Sequence, residues 1–286
     1  MIYKYEISDD FELKDIFECG QCFRWNKEED GSYTGVIHKF VLNVDKQGKK
    51  IVVKTNCEDK KEFDNLFNGY FDIERNYKKE RNNLSKIDKY LKEASEYGKG
   101  IRILNQDLWE TIISFIISAN NNIPRIKKII EELSRRYGFK ISFEGKIYYS
   151  FPTAKQLSKA SVQDLRSIGL GFRDQRIFDT TKYINENKNF LEELKEDSTE
   201  VAKEKLLSLS GVGPKVADCI LLFSELKRFD VFPIDVWVRR VINELYIHNK
   251  DENKVSKKEI EQLAEEKFGN KKGLAQQYLF YWRREG

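Results

Sequence analysis

The sequence predicts an α+β chain, with an antiparallel β region first and helices after it. Short β-rich runs bounded by turn residues cluster in the N-terminal part, whereas apolar residues recur at helical spacing from residue 61 onward. Strands followed by a long helical run, rather than alternating with helices, argue for α+β. No fixed-period repeat or low-complexity linker interrupts the pattern.

The elements follow in order. Residues 33–37 (YTGVI), 39–44 (KFVLNV) and 50–54 (KIVVK) read as strands, separated by His38 and by the turn-forming residues 45–48. The second and third form a hairpin, and residues 20–25 (GQCFRW) are expected to extend it into a meander. Residues 61–70, 84–97 and 107–119 carry apolar side chains at helical spacing, and the remainder reads as helix to the end. Asp107 with Glu110 three residues on predicts a capping box. Gly138 closes a helix that begins near Pro124, and Gly169-Leu170-Gly171 marks a tight turn. The charge-rich residues 187–205 read as a solvated helix pair. The expected organisation is an N-terminal β domain over residues 1–98 and a helical domain over residues 99–286.

Composition narrows the classes. The chain has 286 residues, 34% of them charged and 40% hydrophobic, which is globular rather than disordered. A net charge of +4 allows an anionic partner without demanding one. The N-terminus lacks the apolar core of a signal peptide, and the longest apolar run, residues 111–119, falls short of the roughly 18 residues of a membrane span. A cytoplasmic, prokaryote-like protein without membrane attachment is expected. Cysteines stand at positions 19, 22, 57 and 219, and the two histidines, His38 and His248, lie far from Cys19-Gly-Gln-Cys22. Neither a zinc site nor a C-terminal four-cysteine cluster loop is expected from that distribution.

The chemistry concentrates in residues 209–237, which read LSGVGPKVADC, a short apolar helix, then FPIDVW. Gly211-Val212-Gly213 frees the backbone for positive φ and close approach. Pro214 suits the first helical position. Lys215 sits in the first turn, where the helix dipole and burial are expected to lower its pKa and free an amine nucleophile. Asp235 follows Pro233 and can cap the next helix or face a cleft. A hairpin of amides, an amine and a carboxylate point to chemistry on a phosphate-bearing substrate. Singly, each has a plainer reading: a solvated lysine, an N-cap, a helix–helix turn.

Together with residues 20–25, 100–122, 168–173 (IGLGFR) and 275–280 (AQQYLF), this stretch resembles the 8-oxoguanine DNA glycosylases of the helix-hairpin-helix superfamily. The resemblance covers nearly the whole chain. It implies an N-terminal antiparallel β domain, two helical lobes and an active site between them. It implies a bifunctional glycosylase/AP lyase acting on damaged double-stranded DNA as a monomer, excising 8-oxoguanine preferably opposite cytosine, in base excision repair. Lys215 would form a Schiff base with the sugar and Asp235 would stabilise its positive charge. Gly20, Cys219, Gln276, Phe280 and Pro233 would bind the damaged base. Asn120 and Phe172 would fill the gap left in the duplex, and Arg125 and Arg173 would contact the orphaned cytosine. Gly211, Gly213, Val236 and Trp237 would hold DNA phosphates. Carbonyls of Leu207, Leu209 and Val212 would accept a monovalent cation, with no cofactor required. Two positions depart from the family pattern: Phe172 replaces a tyrosine, and Trp237 stands in place of a histidine. The alternatives are a glycosylase for another oxidised or alkylated base, and a non-catalytic DNA-binding module of the same superfamily.

Overall fold

The computed structural model describes residues 1–7 and 10–286. Five strands form one antiparallel sheet in the order β1-β5-β4-β3-β2. They are β1 (Ile2–Glu6), β2 (Trp25–Lys27), β3 (Tyr33–Ile37), β4 (Phe40–Gln47) and β5 (Lys50–Thr55), with helix α1 (Leu13–Phe17) between the first two. The β3-β4-β5 meander falls where the alternation of apolar residues placed it. Residues 20–24 do not join the sheet, and only Trp25–Lys27 pairs with β3. The expected strand fails because the Gln21 side chain is buried and bonded on all sides: its amide donates to the Ile16 and Arg102 carbonyls and its oxygen accepts from Leu104 N. That segment fastens the sheet to the helices instead.

The helices are α2 (Lys60–Tyr70), α3 (Tyr77–Leu84), α4 (Lys89–Tyr97), α5 (Leu108–Ser118), α6 (Ile123–Tyr137), α7 (Ala154–Leu157), α8 (Val162–Ser167), α9 (Asp174–Glu186), α10 (Phe190–Glu196), α11 (Thr199–Leu207), α12 (Pro214–Phe223), α13 (Val236–Ile242), α14 (Lys257–Phe268) and α15 (Lys272–Glu285). The helix expected over residues 84–97 is broken, because Asp88 caps a new helix by accepting from Leu91 N at 2.9 Å. A second hairpin, β6 (Lys140–Phe143) and β7 (Lys146–Tyr149), interrupts the region read as continuous helix.

An aromatic cluster of Phe11, Phe17, Trp25, Phe63, Phe67 and Phe71 fills the space under the sheet. The larger helical core includes the buried face of α5 and nearly all of α12. Tyr77, Leu84, Leu91 and Ala94, which precede residue 98, also pack in this second core.

Asp107 caps α5, accepting from Glu110 N at 2.7 Å, but the expected reciprocal bond is missing. The Glu110 carboxylate instead turns to Arg24, 3.9 Å away. Burial pushes its pKa up to about 7, with Arg24 opposing and Asp107 adding to the rise. A carboxyl raised in the folded state releases its proton more readily when unfolded, so stability falls as pH rises from the unfolded value near 4.5 to about 7. Glu110→Gln should unfold at the same denaturant concentration as the parent at pH 4, and at pH 8 should be more stable by about 3 kcal/mol.

Candidate active site

The loop between α11 and α12 turns at Gly211, whose φ is +86°. Gly213 was expected to need the same freedom, but its φ is −94° and nothing lies within 4 Å of where a Cβ would stand. The protein itself therefore tolerates a side chain there; close approach of a ligand is the remaining reason for glycine. Pro214 occupies the first position of α12, and no side chain caps the helix. Among the described residues, the amides of Gly211, Gly213 and Lys215 have no acceptor. Free amides at a helix N-terminus make an anion site. Of the three carbonyls assigned to a cation, Leu209 O accepts from Val212 N at 3.1 Å, while those of Leu207 and Val212 receive no donor among the described residues. No group of three or more His, Cys, Asp or Glu side chains converges on a metal-sized site among the described residues.

Lys215 points inward from this helix. Its ammonium bonds to Cys219, one turn on, and lies 5.7 Å from the centre of the Phe115 ring. The expected fall in its pKa is not found. Charge interaction with Cys219 raises it, burial pulls it down, and the Asp235 carboxylate raises it again, so the amine stays above its ordinary value. The helix dipole and burial lose to the two acceptors beside the amine. Burial in turn pushes the Cys219 thiol up to about 11, against the pull of Lys215. In the free protein Lys215 is therefore an ammonium, and it must hand off a proton before it can attack. Asp235 does cap α13, accepting from Val238 N at 2.8 Å, and it faces Lys215 as well. Pro233 is buried just before it, while Val236 and Trp237 are exposed on the first turn of α13.

Helix α13 packs on α15, which brings Gln276 and Phe280 beside Val238 of the helix that Asp235 caps. Gln276 is buried, and its Oε1 has no hydrogen-bond partner among the described residues. An unpaired buried acceptor is costly, so it marks a group that a ligand completes. Gly20 has φ +88°, and a Cβ there would lie 3.6 Å from Phe280 Cε1. The space among Phe232, Val238, Gln276 and Phe280 is too small for a water molecule, and Lys215, Asp235, Cys219 and Gly20 do not line it. A roomier cleft of about 550 Å³ among His38, Phe40, Trp109 and Phe151 includes neither Lys215 nor Asp235.

On the adjoining surface, Asn120 is exposed with φ +53°, a conformation asparagine adopts more readily than most residues. Phe172 is 53% exposed. The Arg173 and Arg176 guanidinium carbons lie 4.2 and 5.0 Å from its ring centre. Arg125 is exposed, and its guanidinium donates to Gly169 O at 3.0 Å. Arg173 is different from what its family counterpart implies. It is 2% exposed and donates to the carbonyls of Ala119, Asn120 and Leu170. In this arrangement it holds the Asn120 loop in its left-handed shape, and it has no free fork to offer a base.

Two useful residues escaped the sequence reading. Phe115, the aromatic neighbour of Lys215, looked like one more apolar residue of α5. Arg176 packs against Phe172 and the Gly211 turn, and has no ion pair among the described residues. Only its position three residues after Arg173 hinted at it. Cys19 and Cys22 are buried thiols bonded to the carbonyls of Ile16 and Phe17.

Comparison with known proteins agrees with this geometry. The family described as 8-oxoguanine DNA glycosylase, N-terminal domain, matches residues 4–112, and the HhH-GPD superfamily base excision DNA repair proteins match residues 113–269. The N-glycosylase/DNA lyase of Saccharomyces cerevisiae is 32% identical over 84% of this chain and 70% of its own length. The 8-oxoguanine glycosylase/lyase of Clostridium acetobutylicum, solved with double-stranded DNA containing cytosine opposite 8-oxoguanine, is 43% identical. It superposes with a TM-score of 0.91 over 100% of this chain and 98% of its own. A 3-methyladenine DNA glycosylase from Archaeoglobus fulgidus, 23% identical with a TM-score of 0.80 over 99% of this chain and 98% of its own, shares the fold alone. This chain belongs to the 8-oxoguanine DNA glycosylases of the HhH-GPD superfamily.

Proposed function

We propose that the protein excises 8-oxoguanine from duplex DNA, preferably opposite cytosine, and then cleaves the strand at the resulting abasic site. The observation that carries the mechanism is the half-buried Lys215 amine held between Cys219 and Asp235. Asp235 takes the Lys215 proton as the damaged base enters. The Lys215 nitrogen bonds to C1′ as the N-glycosidic bond breaks, its electrons leaving with the base, which takes up the proton held by Asp235. Asp235, a carboxylate again, faces the positive charge that develops on the sugar. The sugar ring opens to an iminium, loss of a C2′ proton expels the 3′ phosphate by β-elimination, and water releases Lys215.

The hairpin amides and the first turn of α13, at Val236 and Trp237, hold backbone phosphates. Cys219 and Phe280 flank the flipped base, Gln276 completes its unpaired oxygen on the Watson–Crick edge, and Gly20 accepts from N7–H, a proton guanine lacks. Asn120 and Phe172 occupy the vacated stack, and Trp237 can donate to a phosphate through its indole N–H. Leu207 and Val212 carbonyls, joined by the second lone pair of Leu209 O, suit a monovalent cation. No other cofactor enters the reaction.

Arg125 rather than Arg173 is assigned to the orphaned cytosine, because its side chain is the one free to move. Arg125→Ala should lose about tenfold of the preference for cytosine over adenine, read from single-turnover excision opposite each base. Arg173→Ala should instead slow excision opposite every base, through the loosened Asn120 loop. A panel of damaged duplexes tests the substrate itself; faster release of 3-methyladenine than of 8-oxoguanine would reject the assignment.

A further inference from the structure

Four consecutive carbonyls in the segment after α1 are treated unequally. Glu18 O receives a bond from Arg284 Nη2, Cys19 O one from Gln277 Nε2 at 2.7 Å, and Gln21 O one from Gln106 Nε2 at 2.7 Å. Each donor is a side chain distant in sequence, by 266, 258 and 85 residues respectively. Gly20 O, in the middle, receives no donor among the described residues. The surrounding bonds are not generic helix packing. Gln277, Tyr281 and Arg284 lie on one stripe of α15, and Tyr281 OH bonds to Asp15 Oδ1 of α1 at 3.0 Å. The Arg284 guanidinium also lies 5.1 Å from the Phe280 ring centre, and its Nη1 would be 2.9 Å from a Cβ at residue 20.

We infer that Gln277 and Arg284 are positioning residues for damage recognition: they tie up the carbonyls on the α15 side of Gly20 and leave Gly20 O as a fixed, lone acceptor. The physical argument is one of exclusivity. A loose loop could rotate a peptide and present an N–H instead, which would satisfy the N7 acceptor of ordinary guanine. With its neighbours bonded, residue 20 can show only an acceptor. That acceptor matches the N7–H of 8-oxoguanine and repels the N7 lone pair of guanine. The same α15 stripe carries Phe280, so the ring that stacks on the base and the carbonyl that reads its edge are set by one helix. This inference rests on the proposed role of Gly20.

The test uses Arg284→Met, Arg284→Lys and Gln277→Met in the full chain. Affinity for duplexes containing 8-oxoguanine or guanine is measured for each, and strand cleavage at a preformed abasic site, which offers no base to read, serves as the reference activity. Arg284→Met and Gln277→Met should each shrink the 8-oxoguanine-to-guanine affinity ratio about tenfold relative to that reference, the loss expected when a buried bond is removed. Arg284→Lys, which keeps a cationic donor, should recover most of the ratio. An unchanged ratio in Arg284→Met, whose side chain is partly exposed and near the C-terminus, overturns the inference even if Gln277→Met does not fold. A duplex carrying 7-deaza-8-oxoguanine, which has a C–H group in place of N7–H, separates the two levels in the parent protein. If the parent binds it as weakly as guanine while the variants keep the ratio, the frame fails and the role of Gly20 stands; if the parent binds it as tightly as 8-oxoguanine, the role of Gly20 fails first.

Discussion

Lys215→Gln protein, mixed with an 8-oxoguanine duplex and borohydride, should yield no covalent adduct, and base release should fall by at least about a thousandfold. The parent protein should be trapped quantitatively under the same conditions. The size of the effect follows from the position of the amine: no other lysine is seen bonded to Cys219 and facing Asp235 among the described residues. Glutamine is one bond shorter but keeps an unbranched stem and a polar end, so the melting temperature should move by only a few degrees. An undiminished adduct in this variant would show that another amine forms the Schiff base. The pH profile of the parent carries a second expectation. Because Lys215 is held above its ordinary value, excision should rise with pH across the neutral range rather than saturate below pH 7.

Asp235→Asn isolates the second effect. Asparagine caps a helix about as well as aspartate, so the bond from Val238 N survives and unfolding should shift by only a few tenths of a kcal/mol. The negative charge facing Lys215 is lost, and excision should fall roughly a hundred- to a thousandfold. Asp235→Ala removes cap and charge together, and should add about 1 kcal/mol of instability to the same loss of rate. If the Asp235→Asn protein retained parental activity, the carboxylate would be a cap and nothing more. Thermal melts and single-turnover rates on the parent and both variants decide between these outcomes.

Much of this could be read from residue types and spacing because the deciding interactions are local. Asp107, Asp235 and Pro214 take their positions from bonds or ring geometry within one helical turn. The β3-β4-β5 meander likewise follows from short-range alternation. What was missed depends on contacts distant in sequence. β1 finds its partner some fifty residues later, in β5, and residues 20–24 are kept out of the sheet by the bonds of Gln21 to residues 102 and 104. The β6-β7 hairpin is an exception: the alternation and the Glu144-Gly145 turn were present in the sequence, hidden by helical signals on both sides. In the site, the amine, carboxylate and hairpin were legible as a motif. The direction of the Lys215 pKa was not, since it depends on which groups surround a half-buried nitrogen rather than on its place in a helix. Arg173 shows the same limit. Its type announces a donor, but only the fold reveals that the donors already have acceptors.

The buried oxygen of Gln276, unpaired among the described residues, sets stability against function. Left without a donor in the empty protein, it weakens the fold by about 1–3 kcal/mol. A leucine there should melt higher than the parent, and the same exchange should loosen the hold on the damaged base.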